Sequence, residues 1–252
     1  MDKLIVGTNI VKSYGSGAQK NTVLNGVSIE VAQGEFLVVM GPSGSGKTTL
    51  MYALSGMDTI DKGQVRFGEA DLGVLKEEAL ADLRRKKMGF VFQQPTLLKT
   101  LNLLDNIMLP ALRDNRKNSA ELAARATRLM EQMGIGALAQ RGTTQVSGGQ
   151  LQRAGICRAL MGSPDIIFGD EPTGALNSKA AQEIMDILTS IHKEGTAVVL
   201  VTHDVKVASR AQRVLFMRDG QVVREIRFEG SGAADMDERL EQISAVMREI
   251  EI

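Results

Sequence analysis

The sequence predicts an α/β fold: an apolar strand core with an antiparallel strand layer, interrupted by a helical subdomain. Three observations predict it. A run of five apolar residues, Phe36 to Met40, leads into the glycine-rich stretch 41–49 and then into the helix-like Leu50-Met51-Tyr52-Ala53-Leu54. Apolar strand patterns return at 165–169 and 197–202, with an amphipathic helix pattern between them. From about 94 to 161, by contrast, the periodicity is helical throughout.

In chain order, 4–11 and 23–31 read as strands, the second through the alternation of Val27, Ile29 and Val31. Tyr14-Gly15-Ser16-Gly17-Ala18 reads as a turn between them. Residues 35–40 are a buried strand, 61–63 a turn and 64–67 another strand. A helix is expected over 77–87, its last residues Arg84 to Lys87 reading as a solvated basic end favoured by the helix dipole, with membrane proximity as the lesser alternative. Residues 88–93 form a short strand. Helices are then expected over 101–112, 119–134 and 149–161, with Pro110 and Gly134 as breaks and Ser119 as an N-cap. A helix over 178–193 separates the two later strands. Val214 to Arg218 and Val222 to Phe228 flank Asp219-Gly220, a hairpin signal. Gly230-Ser231-Gly232 breaks the chain before a last helix over 235–250, whose apolar Met236, Leu240, Ile243, Val246, Met247 and Ile250 share one face.

Composition excludes several classes. A chain of 252 residues with 43% hydrophobic and 24% charged residues is long enough for a substantial core. The net charge of zero gives no electrostatic footprint for nucleic acid. No apolar run reaches the roughly 18 residues of a membrane span, and the first seven residues carry no signal-peptide pattern. Cys157 is the only cysteine, which excludes an intrachain disulfide, fits a reducing compartment and reads as a small core residue. His192 lacks any motif context and is expected on the surface.

The stretch Gly41-Pro42-Ser43-Gly44-Ser45-Gly46-Lys47-Thr48-Thr49 matches a phosphate-binding loop in its required strand-to-helix context. Its glycines let successive backbone N–H groups point inward at an anion, and the helix N-terminus adds positive potential there. Lys47 can reach β- and γ-phosphates, and the Thr48 hydroxyl can ligate Mg²⁺. The chain is therefore expected to bind a nucleoside triphosphate. Ile166-Ile167-Phe168-Gly169-Asp170-Glu171 is an apolar strand ending in two carboxylates. Asp170 is expected near that Mg²⁺, and Glu171 at the attacking water, to orient or deprotonate it. Ser147-Gly148-Gly149-Gln150 opens a helix with Ser147 as cap and exposed first-turn N–H groups, a second anion cradle. One nucleotide has a single γ-phosphate, so two cradles in one chain invite a two-chain arrangement.

With these motifs in place, nearly the whole chain resembles the ATP-binding cassette family, whose signature Leu-Ser-Gly-Gly-Gln appears here with Val146 first. The resemblance implies ATP and Mg²⁺ as cofactors. It assigns Tyr14 to adenine stacking, Gln93 to Mg²⁺ and the water, Asp170 to the metal, Glu171 to catalysis and His203 to the γ-phosphate. It further implies head-to-tail pairing of two copies, each ATP held between one chain's phosphate loop and the partner's signature segment. Gly174-Ala175-Leu176-Asn177 stands where the family usually reads Ser-Ala-Leu-Asp, so Asn177 keeps a carbonyl acceptor but lacks the charge.

Within the family, Gly169-Asp-Glu-Pro-Thr-Gly174 and Asp105-Asn-Ile-Met-Leu-Pro110 are similar to the macrolide-export and lipoprotein-release group, and most to bacitracin-type antimicrobial-peptide resistance transporters. That likeness implies a membrane-spanning permease partner and a place on the cytoplasmic face of the cell membrane. The expected organisation is an ATPase domain over 1–230, with the helical subdomain at about 94–161, and a C-terminal helical extension over 231–252. A mechanical regulator of the cell-division type shares every ATP motif and is the alternative function. Members acting in DNA repair carry long coiled-coil insertions, and translation factors carry two cassettes; neither feature occurs here.

Overall fold

The computed structural model describes residues 2–113, 118–228 and 236–250. The chain forms two compact units, the first from 1–80 and 197–252, the second from 81–196. The expected helical subdomain limits fall within the second unit. The expected boundary at 230 and its Gly230-Ser231-Gly232 break lie outside the described residues.

In the first unit, β1 (Lys3–Tyr14), β2 (Asn21–Ala32), β4 (Lys62–Phe67) and β5 (Ala70–Asp71) form an antiparallel sheet in the order β2-β1-β4-β5. Its inner face carries Ile5, Ile10, Leu24, Val27, Ile29, Val31 and Val65, all buried. The first two strands run further than apolar alternation indicates, because Ser13 pairs with Thr22 and Tyr14 with Asn21 beyond the hydrophobic part. Asn9 takes a positive φ of 49° where the β1 register shifts, a conformation asparagine tolerates at a bulge.

β3 (Phe36–Met40) is buried at every position and lies parallel between β8 (Ala197–Val201) and β9 (Arg213–Arg218). A strand buried on both faces reads as a continuous apolar run, which is what the sequence shows. β10 (Gln221–Arg227) returns antiparallel to β9 through Asp219 and Gly220, whose φ values of 49° and 74° make the expected two-residue turn. Around these strands lie α1 (Lys47–Leu54), α7 (Val205–Ala208) and α8 (Met236–Glu249). The last helix docks on its own unit. Ile243 is fully buried, Arg239 donates to the carbonyls of Ser209 and Ala211, and its guanidinium lies 4.7 Å from the Phe228 ring centroid.

α2 (Glu77–Lys87) runs in sequence from the first unit into the second, over the residues expected. The second unit pairs β6 (Met88–Phe92) in parallel with β7 (Ile166–Asp170), Phe90 stacking on Phe168 at 5.7 Å. α3 (Leu103–Leu112), α4 (Ser119–Gln132) and α5 (Gly148–Leu160) enclose a core of Leu103, Ile107, Ala126, Met130, Ala154 and Cys157. Burial pushes the Cys157 thiol up to about 12, in keeping with its expected structural role. α6 (Ser178–Lys193) has the expected limits.

Several local expectations are corrected. α3 starts two residues later than expected because Asn102 caps it, accepting from the Asp105 N–H at 2.8 Å. Pro110 does not break that helix but lies in its last turn, where little helix remains to disrupt. Ser119 is the first helical residue of α4 and not its cap, which is Asn118. His192 is half-buried rather than exposed, and burial followed by the Lys193 charge lowers its pKa. The short β5 and α7 carry no periodicity long enough to register in the sequence.

Candidate functional site

In the first unit, β3 ends at Met40 and delivers the glycine-rich loop directly to the N-terminus of α1. Gly41, Gly44 and Gly46 have φ of 154°, 80° and 98°, and Gly46 is the left-handed N-cap of the helix. Side chains are excluded at two of them. A Cβ on Gly41 would lie 2.2 Å from the Met217 carbonyl, and one on Gly46 would lie 2.7 Å from that of Val23. Lys47 Nζ folds over the loop and donates to the carbonyls of Gly41 and Pro42 at 2.8 Å each. Ser43 and Gly44 are exposed, and Lys47, Thr48 and Thr49 are half-buried on the first turn. The Ser45 hydroxyl is buried without a hydrogen-bond partner.

Sequence reasoning missed a brace on this loop. The N–H of Gly220, in the β9–β10 turn, donates to the Ser45 carbonyl at 3.1 Å, while the Gly220 carbonyl accepts from the Asn25 N–H at 2.9 Å. A Cβ there would lie 2.4 Å from the Val23 carbonyl. The Asp-Gly pair thus serves the loop as well as the hairpin, and no local pattern distinguishes the two uses.

Tyr14 closes β1 and is 44% exposed. Its hydroxyl donates to Asp58 Oδ2 at 2.6 Å. The nearly buried Lys12 ammonium donates to Asp58 Oδ1 at 2.7 Å and to the Thr59 carbonyl at 2.6 Å, and lies 5.0 Å from the Tyr14 ring centroid. Burial by itself would raise the Asp58 carboxyl, but the hydrogen bonds from Lys12 and Tyr14 outweigh it and hold the group below the ordinary carboxylate range. Burial and the Asp58 bond raise the Tyr14 phenol. His203 is exposed two residues past Val201, which is in register with Val39 on the adjacent parallel strand. His203 and Gly41 therefore leave the same sheet edge.

In the second unit, Phe92 is in register with Asp170, so Gln93 and Glu171 each follow a paired strand end. Glu171 has a φ of 46°, a left-handed conformation that is costly for a residue with a Cβ and persists only where its surroundings enforce it. Gly174 leaves room for Gln93, whose Nε2 would lie 3.0 Å from a Cβ at that position. Ser147 caps α5 as expected. Its hydroxyl accepts from the Gln150 N–H at 3.3 Å, and Gln150 Oε1 accepts from the Ser147 N–H at 2.8 Å, a capping box. Gly148 and Gly149 form the first turn, where a Cβ would meet Leu176 at 3.6 Å and Ala180 at 3.2 Å. Asn177 caps α6, its Oδ1 accepting from the Ala180 N–H at 2.9 Å.

The structure thus gathers the phosphate loop, Tyr14 and His203 in one unit, and Gln93, Asp170, Glu171 and the Ser147 cradle in the other. The loop suits a polyphosphate: glycines at positive φ admit close backbone approach, and a lysine that donates to loop carbonyls can exchange them for phosphate oxygens. Among the described residues no group of three or more His, Cys, Asp or Glu could hold a metal.

The ABC transporter family model matches residues 24–174. The chain is 42% identical over 222 residues to the macrolide export ATP-binding/permease protein MacB of Marinobacter nauticus, covering 88% of this chain and 34% of that protein. It therefore spans about a third of that relative's length. Against the bacitracin export ATP-binding protein BceA of Halalkalibacterium halodurans, identity is 41%, covering 88% of each chain. The dimeric post-hydrolysis structure of the ATP-binding cassette MJ0796, bound to ADP and phosphate, superposes with a TM-score of 0.83 at 36% identity, over 90% of this chain and 99% of that one. The family match and these relatives agree with the phosphate loop, the paired carboxylates and the capped signature helix: the chain belongs to the ABC transporter family and is an ATP-binding cassette ATPase.

Proposed function

We propose that this chain is the ATP-hydrolysing subunit of an export transporter, held on the cytoplasmic face of the membrane by a membrane-spanning permease. Two copies pair head to tail, each ATP lying between one phosphate loop and the partner copy's signature segment. The cargo is an antimicrobial peptide or a lipid-linked molecule; the bacitracin-export relative supports the peptide, and the macrolide-export relative supports export in general. The observation that carries the nucleotide chemistry is Lys47, folded onto the carbonyls of a glycine loop at a helix N-terminus.

In this reading Tyr14 stacks on adenine. The N–H groups of 41–49 receive the phosphates, with Ser43, Ser45 and Thr49 completing the loop's contacts. Lys47 leaves the Gly41 and Pro42 carbonyls for the β- and γ-phosphates. Thr48, Gln93 and Asp170 would hold Mg²⁺, which would supply charge neutralisation at the phosphates when bound. Glu171 accepts the proton of the attacking water at its carboxylate, and His203 contacts the γ-phosphate. Ser147 and the N–H groups of Gly148, Gly149 and Gln150 face the partner copy's nucleotide. Catalysis is positioning and electrostatic stabilisation, since phosphoryl transfer leaves little covalent chemistry for side chains.

Two variants test the assignment. Glu171→Gln keeps size and hydrogen bonding but removes the base, so hydrolysis is expected to collapse while ATP binding persists and favours the dimer. Lys47→Ala removes a charge from the phosphates, so affinity itself is expected to fall. Wild-type turnover in the first, or wild-type affinity in the second by calorimetry, contradicts the site. A pull-down identifying the membrane subunit separates an exporter from a mechanical regulator.

A further inference from the structure

Gln152 lies in the second turn of α5 and has no role in the site described above. It is 1% exposed. Its Nε2 donates to the carbonyl of Phe92 at 2.9 Å and to that of Pro172 at 2.8 Å. Phe92 immediately precedes Gln93, and Pro172 immediately follows Glu171. Both partners are carbonyl oxygens, which only accept, so the nitrogen must occupy this position and the amide has one orientation. Both of its hydrogens are used. Oε1, in contrast, is buried without a partner. Buried polar atoms are seldom left so. The tolerated orphan points to the two donated bonds as what this position supplies.

The same helix holds the Gln93 segment again further along. Arg158 donates to the Thr96 carbonyl at 2.6 Å and to Thr96 Oγ1 at 3.0 Å. Gly155 admits Pro95, whose Cβ lies 3.6 Å from the position a Cβ would take there. Residues 92–96 are therefore fastened to α5 at both ends. Residues 171–174 are fastened to it by Gln152, and Gly174 donates its N–H to the Glu171 carbonyl at 3.0 Å, closing a turn around the left-handed glutamate.

We propose that Gln152 is a positioning residue that ties the segments carrying Gln93 and Glu171 to the first turns of α5, so that a displacement of that helix reaches both together. The helix begins at the Ser147 cradle, so an anion engaged there acts at one end of the tie and the water-activating carboxylate lies at the other. The inference rests on the assignment of Gln93 and Glu171 to ATP hydrolysis proposed above.

The test is steady-state ATPase kinetics of the full chain for wild type, Gln152→Met and Gln152→Glu, with ADP affinity measured by calorimetry. Both replacements keep the length of the side chain and remove its paired donors. A wild type that does not hydrolyse ATP removes the underlying assignment, independently of Gln152. With an active wild type, kcat is expected to fall at least tenfold in both variants, while KM and ADP affinity stay within threefold. A kcat within threefold of wild type overturns the proposal, as does an equal loss of kcat and affinity, which would mark a purely structural residue. Hydrogen exchange on Glu171→Gln with and without ATP gives a reading that needs no change at Gln152. Amides of 92–94 and 96, of 148–156 and of 173–177 are expected to gain protection together, and protection of one segment without the others overturns the tie.

Discussion

Asp58→Asn would remove the anion that gathers Lys12 and Tyr14. The wild-type carboxylate accepts from the Lys12 ammonium at 2.7 Å and from the Tyr14 hydroxyl at 2.6 Å, and its side chain is 29% exposed. Charge-assisted hydrogen bonds contribute about 1.5–3 kcal/mol each and neutral ones about 0.5–1.5. In the variant the amide oxygen still accepts from Lys12, and the Thr59 carbonyl remains, so that side loses about 1 kcal/mol. The amide nitrogen cannot accept from the Tyr14 hydroxyl but can donate to its oxygen, so a neutral bond replaces a charge-assisted one at a cost of about 1 kcal/mol more. The sum, about 2 kcal/mol, corresponds to a fall in Tm of about 4–8 °C for a chain of this length.

The pH dependence has a definite sign. The folded-state pKa of Asp58 lies below its unfolded value near ~3.9, so its contribution is complete above that value and is lost as pH falls through the folded one. The gap between wild type and variant is therefore expected at pH 7 and expected to close below about pH 4. Thermal melts at both pH values, with ATP titration at pH 7, read the effects together. Loosening Tyr14 is expected to raise KM for ATP several-fold with kcat little changed. A Tm within 1 °C of wild type (about the scale of ~0.3 kcal/mol) together with an unchanged KM would refute this reasoning.

Ile243→Ala removes a fully buried side chain beneath α8 and is expected to cost about 2–4 kcal/mol, seen in denaturant melts; an unchanged midpoint would mean that the helix is not docked in solution. Asn177→Asp preserves the cap on α6, because the two residues cap about equally well, so stability should shift by less than about 0.5 kcal/mol. The restored charge is expected to raise basal ATPase activity without altering ATP affinity, and unchanged or lower turnover in steady-state assays would show that Asn177 does not restrain the enzyme.

The sequence by itself determined whatever depends on near neighbours along the chain. α2 and α6 match their expected limits because terminal charges in the first and amphipathic periodicity in the second are written within the helix itself. The phosphate loop, the Asp-Gly turn and the Ser147 cap were legible because each places its backbone through residues a few positions apart. The tertiary structure alone decided the supports. Gln152 reaches across 60 residues to Phe92, Tyr14 across 44 to Asp58, and Gly220 donates to a loop far upstream in the chain. The burial of His192 was likewise settled by packing, whereas the late start of α3 comes from a local cap that apolar spacing does not weigh. A hydrogen bond between distant segments constrains one donor and one acceptor but imposes no spacing on the residues between them. It therefore leaves no periodic trace in the sequence, and only the folded chain brings its two ends into view.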